Sequence, residues 1–466
     1  MDSREEEKFQ EEAREVAVSL KPFFNKKQSV KIRTHTDSDG ISSGNILARC
    51  FNHYDIPFHL SFGDPPSEED IESLEDQDYD IYVFLDQGAG QFEYIKKHLI
   101  ENDKNVIIFD HHPGDVRDHP KLDYLNPHEF GISGSEGVSA SGVTFSVVEK
   151  IDEEFESLSE IALIGAIGDR QDTPDGFTGI NKTIQERALE GGFIEKFEGL
   201  KIGFRDESVV DCIKNSVRPF LLGLSGNEDE VKELLDNLDI EYEKSIEELS
   251  QEEERELRDE ILSRVDVDSQ DVLEKSIWGN IQKSNLDQTS GPENSHEYVL
   301  MLDACEKSDD IDVGFAAMLG DDKAAKEARE ILDSYQGQMI EHLNWISGNE
   351  EIVENKANIT CLDLTEESRL KSIGEFLSLI LESGMMSRDK PLLGLAESEE
   401  GELKVSARGT QRLVDEGIDL GSILSEASGE LDGRGGGHNI AAGARLSLEE
   451  KEEFIDKVDE LVENFK

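Results

Sequence analysis

Apolar residues in the first 170 positions form short runs separated by stretches of helical periodicity. Three apolar runs predict buried strands, at residues 30–34, 80–86 and 105–110. The helical patterns predict helices at residues 3–20, 40–54, 137–150 and 154–167. An acidic loop is expected at residues 64–79. Strands that alternate with helices in this way are typical of a parallel α/β sheet.

The pattern changes after residue 205, where charge-rich helices predict a helical module that is inserted between two domains or connects them. Residues 322–346 predict one long helix, and beyond residue 350 the strand-like stretches ANITCLDL, PLLGLAES and ELKVSARG alternate with helices. We therefore expect an α/β protein with a parallel-sheet domain, a helical module, a linking helix and a smaller second α/β domain. The predicted boundaries of these four segments are residues 1–205, 206–320, 321–348 and 349–466.

The length of 466 residues supports two or three folded domains. No apolar run approaches the length of a membrane span, and the acidic N-terminus lacks the basic start of a secretory signal. We expect a cytoplasmic protein without membrane contact. Its four cysteines are scattered without paired spacing, which favours reduced packing residues over a zinc or disulfide framework.

Acidic residues greatly outnumber basic ones, giving a formal net charge of -59. Such a charge repels itself strongly at ordinary ionic strength, whereas at molar salt the Debye length falls to about 3 Å and most of the repulsion is screened. A halophilic cytoplasm is our interpretation. The alternative is an acidic protein that binds basic partners, but the acid is spread over the whole chain rather than collected in a tail.

Polar clusters follow the predicted strands and one apolar helix, within the stretches THTDSDG, FLDQG, FDHHPGD and IGDRQD. In parallel α/β sheets, functional groups collect beyond the carboxyl ends of the strands. The candidate side chains are His35, Asp37, Asp39, Asp86, Asp110, His111, His112, Asp169 and Asp172.

Carboxylates mixed with imidazoles suit Mn²⁺ or Mg²⁺, and two such ions can support hydrolysis of a phosphodiester. A single aspartate at a strand end often caps a helix instead, and a lone histidine is more often a packing residue. The order and strand-end placement of all four clusters favour the metal interpretation. Asp110, beside two histidines, is expected to fix the tautomer of an imidazole.

These four motifs, in this order and spacing, resemble the signature motifs of the DHH phosphoesterase superfamily, and DHH is the third of them. Within the superfamily the chain resembles the archaeal RecJ-like single-strand exonucleases, in a haloarchaeal form. The stretches YLNPHEFGISGSEGVSASG and LMLDACEKSDDIDVGFAAMLGD carry the resemblance further. The chain departs slightly from the family at Gln87, a position that is more often apolar.

The resemblance implies a site for two ions that share Asp86. One ion would be held by His35, Asp37 and Asp86, and the other by Asp39, Asp86, His111 and Asp169. His112 would face the scissile phosphate, and an activated hydroxide would attack, so no protein nucleophile is implied. Asp172 matches an outer position of the fourth motif and is not expected to be a ligand.

Near the C-terminus, KVSARGT and LDGRGGGHNIAAGARL resemble the DHH-associated domain, whose glycine-rich motif binds substrate. Glycines let backbone N–H groups approach phosphate oxygens, and arginine or histidine adds charge-assisted hydrogen bonds. The expected substrate-binding residues are Ser406, Arg408, Arg434, Gly435, Gly436, Gly437 and His438. The alternative is a glycine-rich turn without a binding role.

The resemblance implies an exonuclease that acts on single-stranded DNA, with RNA as an open alternative, in replication or repair. One competing hypothesis is a small-substrate DHH phosphatase or oligoribonuclease, although such relatives tend to be shorter. Another is a replisome scaffold that binds GINS proteins, although such scaffolds lose metal ligands and every ligand position is filled here.

Stability should depend on salt. We expect the melting temperature, followed by circular dichroism, to fall steeply as KCl is lowered from molar concentration to about 0.1 M, where the Debye length grows to about 10 Å and the excess carboxylates repel one another. A melting temperature that does not change with KCl would contradict the halophilic interpretation.

Overall fold

The computed structural model describes residues 3–173, 176–265, 267–284, 291–365, 373–398 and 401–465. The chain forms two compact units, one made of residues 1–199 and 279–335 and the other of residues 200–278 and 336–466. In the described ranges, no helix has the length and apolar character that crossing a membrane requires.

The first unit is built on a parallel sheet with the strand order β2-β1-β3-β4-β5. Its strands are β1 (Val30–Thr34), β2 (Phe58–Phe62), β3 (Ile81–Leu85), β4 (Asn105–Phe109) and β5 (Leu122–Leu125). Every neighbouring pair runs parallel. The three predicted strands are confirmed. The sequence pattern did not predict β2 and β5, which lie at the two edges, because edge strands are only partly buried and lack a continuous apolar run.

Among the described residues up to 190, seven α-helices accompany this sheet. They are α1 (Ser3–Lys26), α2 (Ser38–His53), α3 (Glu68–Glu72), α4 (Phe92–Ile95), α5 (Ala140–Ile151), α6 (Ser159–Gly168) and α7 (Gly179–Glu190). The helix α4 continues as a π-helical turn, Lys96–Ile100. The expectation of a loop throughout residues 64–79 was wrong, because Ser67 and Asp70 form a capping box that starts the short helix α3.

The central strands are apolar on both faces, which explains their continuous hydrophobic runs. In β3, Val83 and Leu85 join a core cluster with α1, α2, α5 and α6, whereas Tyr82 and Phe84 join a second cluster with α4 and its π-turn. The helix α6 has few polar residues, and Ile161 through Ile167 are all buried. The helix α6 packs against α2 and α5, and its last residue, Gly168, lies against Ser38 at the start of α2.

The middle of the chain is mainly helical, as the charge pattern predicts, but it also contains two paired strands, β6 (Ile194–Leu200) and β7 (Trp278–Ser284). Between them lie α8 (Val209–Lys214), α9 (Glu228–Asn237), α10 (Gln251–Ser263) and α11 (Val267–Ile277), with an apolar core of their own. After β7 come α12 (Ser295–Lys307), α13 (Ile311–Met318) and α14 (Asp322–Ser347). Tyr298, Met301 and Leu302 of α12 pack into the core of the first unit.

The remaining residues form a six-stranded mixed sheet with the order β12-β13-β11-β10-β9-β8. Its elements are β8 (Val353–Asn355), β9 (Thr360–Asp363), α15 (Ile373–Glu382), β10 (Leu392–Glu397), β11 (Glu402–Arg408), α16 (Gln411–Asp415), α17 (Leu420–Gly429), β12 (Arg434–Gly437), β13 (Ala441–Ser447) and α18 (Lys451–Phe465). Only β9 and β10 pair in parallel. Leu403, Val405 and Ala407 pack in one core cluster with residues of α17 and α18. The fold therefore has the predicted class, an α/β parallel-sheet domain with helical regions and a second, smaller α/β sheet domain.

Candidate metal centre and substrate-binding face

Three of the four polar clusters follow the carboxyl ends of β1, β3 and β4, which are neighbours in the parallel sheet. The fourth cluster begins where α6 ends, at Asp169. The structure brings the predicted ligands from all four clusters together at one edge of the sheet. His35, Asp37 and Asp86 form one group, and Asp39, His111 and Asp169 form another.

Backbone N–H groups at helix N-termini hold two of these carboxylates. Asp37 caps α2, and its Oδ1 accepts a hydrogen bond from the backbone N of Gly40 at 2.9 Å. Asp39 is fully buried, and its two oxygens accept hydrogen bonds from Ala140 N at 2.6 Å and Ser141 N at 3.0 Å at the start of α5. The positive end of each helix dipole stabilises the negative charge.

Asp86 lies between the two groups in a left-handed backbone conformation, with φ at 55°. Its side chain is almost completely buried, yet neither carboxylate oxygen has a hydrogen-bond partner among the described residues. Three imidazole nitrogens approach those oxygens: His35 Nδ1 at 3.5 Å, His111 Nε2 at 3.2 Å and His112 Nδ1 at 3.6 Å. A buried carboxylate without hydrogen bonds is costly unless a cation or a proton neutralises it.

His111 is held so that one ring nitrogen faces the carboxylates. Its Nδ1 donates to the carbonyl oxygen of Gly134 at 2.7 Å, which leaves Nε2 as a potential ligand atom. Nε2 lies 3.3 Å from Asp169 Oδ2 and 4.0 Å from Asp39 Oδ2. The tautomer of His111 is thus fixed by a backbone carbonyl and not by Asp110, which the sequence predicted to orient an imidazole without indicating which one.

Asp110 instead fixes His112. Its Oδ1 lies 2.9 Å from His112 Nδ1 and accepts hydrogen bonds from the backbone N of His111 and of His112, while Oδ2 accepts one from Ala89 N at 2.9 Å. The His112 side chain is 55% exposed, whereas Asp110 is buried. His112 is therefore the imidazole of the cluster that is open to a ligand from solvent.

Asp169 ends α6 in a Schellman arrangement. Arg170 is left-handed, with φ at 58°, and the backbone N of Gln171 donates to the carbonyl oxygen of Ala166 at 2.9 Å. Asp172 lies beyond this turn and pairs with His296 Nε2 at 3.1 Å. Asp172 is absent from both of the groups described above, in keeping with the expectation that it is not a ligand.

The geometry of the cluster fits metal ligands better than hydrogen bonds. His35 Nδ1 lies 2.8 Å from Asp37 Oδ2, but the angles leave this nitrogen without a hydrogen bond among the described residues. Oxygen or nitrogen ligands of an octahedral ion, each about 2.1 Å from the metal, lie about 3 Å apart. Carboxylates combined with imidazoles are also a donor set that Mn²⁺ accepts.

The ionisable groups perturb one another strongly. Burial lowers the pKa of His35, but Asp37 and Asp86 outweigh it and raise this pKa to about 11. Burial and the charge of Asp37 raise the pKa of Asp86 to about 6. Burial and the charge of Asp39 likewise raise the pKa of Asp169. The negative charge at this edge therefore needs protons or cations to balance it.

Four of the predicted substrate-binding residues, Ser406, Arg408, Arg434 and Gly436, lie on one face of the sheet in the second unit. Gly435 and Gly437 alternate onto the opposite face, where a Cβ at Gly435 would meet Leu424 and Ser428 of α17. Because residues opposite each other share a face, the register aligns Gly394, Ser406, Gly443 and Gly436 in one row across four strands. Two positions along, the register aligns Lys404, Arg445 and Arg434 in a second row. We call these the small row and the basic row.

The basic row was only partly predicted. Arg434 and Arg445 are exposed, Lys404 is partly exposed, and no carboxylate among the described residues pairs with any of the three. Lys404 and Arg445 were missed, although the period-two alternation in ELKVSAR and AAGARLS places both on the exposed face. In a chain with a net charge of -59, three adjacent cations without acidic partners form a local positive patch.

The glycine-rich stretch forms the strand β12 and a tight turn. Gly437 has φ at 141°, and a Cβ there would lie 2.7 Å from the carbonyl oxygen of Ala441, so only glycine fits. His438 follows at the exposed turn, where its backbone N donates to the Ala441 carbonyl at 2.8 Å. Arg408 is on the face of the small row and donates from Nε to Ser378 Oγ at 3.2 Å.

Two family models match this chain. The model of the DHH family, N-terminal domain, matches residues 29–168, and the model of the DHHA1 domain matches residues 374–464. The chain is therefore similar to the DHH superfamily over its parallel-sheet domain and over its second sheet. The DHH match spans the parallel sheet and reaches the end of α6, and the DHHA1 match contains both rows on the second sheet. Members of this superfamily are phosphoesterases.

Similar proteins extend the likeness over nearly the whole chain. An uncharacterized protein of Methanocaldococcus jannaschii is 29% identical over 443 residues, which covers 93% of each chain. The fold is shared with RecJ in complex with Mn²⁺ from Thermus thermophilus, at 16% identity and a TM-score of 0.56. That match covers 98% of this chain and 55% of RecJ, so the chain spans about half of that protein. CDC45 from Entamoeba histolytica matches at 12% identity and a TM-score of 0.65, with 97% of this chain and 99% of CDC45 covered.

Metal binding should release protons. At pH 8 a metal-free His35 with a pKa of about 11 holds a proton that ligation must displace, so Mn²⁺ affinity should rise as pH rises. Isothermal titration in buffers of different ionisation enthalpy measures the protons released. A heat of binding that is the same in all buffers, together with an affinity that does not vary from pH 7 to 9, would contradict this assignment.

Proposed function

We propose that this protein is a Mn²⁺-dependent phosphodiester hydrolase that acts as a RecJ-like exonuclease on single-stranded DNA, in replication or repair. The observation that carries the proposal is the arrangement of two ligand groups around one buried carboxylate without hydrogen bonds, Asp86. We propose that His35, Asp37 and Asp86 hold one ion, and that Asp39, Asp86, His111 and Asp169 hold the other. Mg²⁺ is the alternative ion.

When bound, two such ions supply an activated water and neutralise the negative charge of a phosphodiester. The remaining tasks fall to the protein. Asp39 is held by two backbone N–H groups and His111 by the Gly134 carbonyl, so both present fixed donor atoms. Preorganised donors need not reorganise during the reaction.

His112 would contact the scissile phosphate. Its ring is more than half exposed, and its Nδ1 is paired with Asp110, so the opposite nitrogen is directed away from that carboxylate. The hydrogen bond to Asp110 raises the pKa of His112, which favours the cationic ring. A cationic imidazole would stabilise the negative charge that develops on the phosphate oxygens.

A nucleic-acid strand would lie on the second sheet across the small and basic rows. Gly436 and Gly443 of the small row would allow the strand to approach the backbone closely, whereas Gly394 is buried beneath Ile373 and Leu377 of α15. Arg434, Arg445 and Lys404 would offer charge-assisted hydrogen bonds to phosphates. At molar salt the gain from counterion release is small, so close contacts of this kind contribute more of the affinity.

Two other functions remain as candidates. A small-substrate phosphatase or oligoribonuclease would use the same metal centre on dinucleotides or nucleotide bisphosphates. The fold similarity to CDC45 makes a scaffold that binds GINS proteins the second candidate. The complete set of ligand residues favours hydrolysis over a purely structural role.

The test is degradation of end-labelled strands in molar KCl with Mn²⁺. We expect wild-type protein to shorten single-stranded DNA progressively and to leave a blunt duplex intact, with RNA strands and dinucleotides assayed in parallel. Cleavage of dinucleotides alone would favour the phosphatase, and no cleavage of any substrate would favour the scaffold.

Removal of either of two ligands should abolish this activity. Asp39→Ala and His111→Ala each remove a ligand of the same ion and should reduce the rate at least about 1,000-fold, given the several kcal/mol that a metal contributes. His98→Ala is a matched control, because His98 is also a buried imidazole with two carboxylate partners but lies outside the site. Near-normal turnover by either folded ligand variant would refute the site assignment.

The basic row should govern strand affinity. Arg434→Ala and Arg445→Ala should each weaken binding of a labelled single strand about tenfold and leave Mn²⁺ affinity unchanged. A tenfold loss is at the lower end of the range expected when one charge-assisted contact is removed. Arg412→Ala is the control, because Arg412 lies in the same domain but is paired with Asp389. Strand affinities of both variants equal to that of the control would exclude this face as the binding surface.

A further inference from the structure

Two buried amide side chains beside the metal centre have no role in the mechanism above. Gln171 is 1% exposed and Asn181 is fully buried. Gln171 Nε2 lies 3.0 Å from the Gly134 carbonyl oxygen and 3.2 Å from Asp169 Oδ2. Asn181 Nδ2 donates to Gln171 Oε1 at 2.7 Å. The three hydrogen bonds form a short chain that ends at a proposed metal ligand.

The same chain also reaches a second ligand. The Gly134 carbonyl that accepts from Gln171 accepts from His111 Nδ1 as well. A Cβ at Gly134 would overlap the carbonyl oxygen of His111, so glycine is required for the loop to pass this close. One amide group thus contacts Asp169 directly and His111 through a shared acceptor, and both residues belong to the same proposed ion.

The orientation of the Gln171 amide determines whether it can act in this way. With Nε2 toward Gly134 and Asp169, the amide donates to a carbonyl and a carboxylate. If the amide were reversed, Oε1 would face two acceptors and would be repelled. Asn181 supports this orientation by donating from Nδ2 to Gln171 Oε1.

We propose that Gln171, oriented by Asn181, is a positioning residue that fixes Asp169 and His111 as ligands of one of the two ions. This inference rests on the proposed metal centre. Sequence reasoning assigned Gln171 no role, although it lies between Asp169 and Asp172 in the fourth motif. Asn181 is ten residues further on, in α7, and only the fold brings it to Gln171.

A merely structural role predicts a different result from a positioning role. If the two buried amides only satisfied each other's hydrogen bonds, their substitution would lower the free energy of unfolding. The affinities for the two Mn²⁺ ions would then stay as they are in wild type. Positioning residues should affect the affinity of one ion, since outer partners of metal ligands typically change affinity about 10- to 100-fold. Asn181 should act only through Gln171, so the effects of the two substitutions should not add.

The experiment is a calorimetric titration of the full chain with Mn²⁺ in molar KCl. We expect wild type to bind two ions. Gln171→Met should lower the affinity for one ion about 10- to 100-fold and leave the affinity for the other within about twofold of the wild-type value. Asn181→Asp, which cannot donate to Oε1, should weaken the same ion, and the double variant should resemble Gln171→Met alone. Gln282→Met is the control, because Gln282 is equally buried but lies in β7.

Four results would each overturn the inference. The Mn²⁺ affinity of both ion sites could fall equally, or neither affinity could change. The effects of the two substitutions could be additive, or wild type could bind fewer than two ions. Far-UV circular dichroism shows whether each variant is folded. If Gln171→Met is not folded, Asn181→Asp alone decides the question, because this substitution conserves side-chain volume.

Strand cleavage is measured separately from Mn²⁺ binding. Wild type that binds two ions but cleaves no strand would refute the proposed function alone, whereas cleavage by wild type with normal Mn²⁺ binding in the variants would refute this inference alone.

Discussion

Repulsion between carboxylates at one edge of the parallel sheet is the constraint on which the site depends. Asp37, Asp39, Asp86 and Asp169 come within a few ångströms of shared imidazoles, and burial disfavours a charge on Asp86 and Asp169. Two of them are stabilised by the fold itself, since Asp37 caps α2 and Asp39 caps the start of α5. The positions of α2 and α5 against the sheet are therefore part of the electrostatics of the site.

The other two carboxylates are treated differently. Asp86 has no hydrogen bond from the described residues, and its pKa is raised to about 6. Asp169 has a raised pKa and one amide donor, from Gln171. The fold thus neutralises part of the charge with backbone groups and leaves the remainder to a cation. This division would allow the acidic cluster to persist in a folded protein and still hold the proposed ions.

The second unit meets the opposite difficulty, because the proposed nucleic-acid strand would have to approach a chain with a net charge of -59. The strand register of the DHHA1 sheet gathers Lys404, Arg434 and Arg445 into one row, beside a row of residues with little or no side chain. Three cations that are distant in sequence become neighbours only because β11, β13 and β12 are paired. A local positive patch on an acidic protein is consequently a product of register, and total charge does not reveal it.

The sequence by itself determined the α/β class, the central strands and the residues of the proposed metal centre, because apolar periodicity and ligand-rich motifs are local signals. It did not determine the edge strands β2 and β5, whose partly buried residues lack a continuous apolar run. Only the tertiary structure decided that Gly134, rather than Asp110, orients His111, and that Asn181 reaches Gln171. The physical reason is that hydrogen-bond partners from different elements are chosen by how those elements pack, and packing depends on the whole core rather than on any single stretch of sequence.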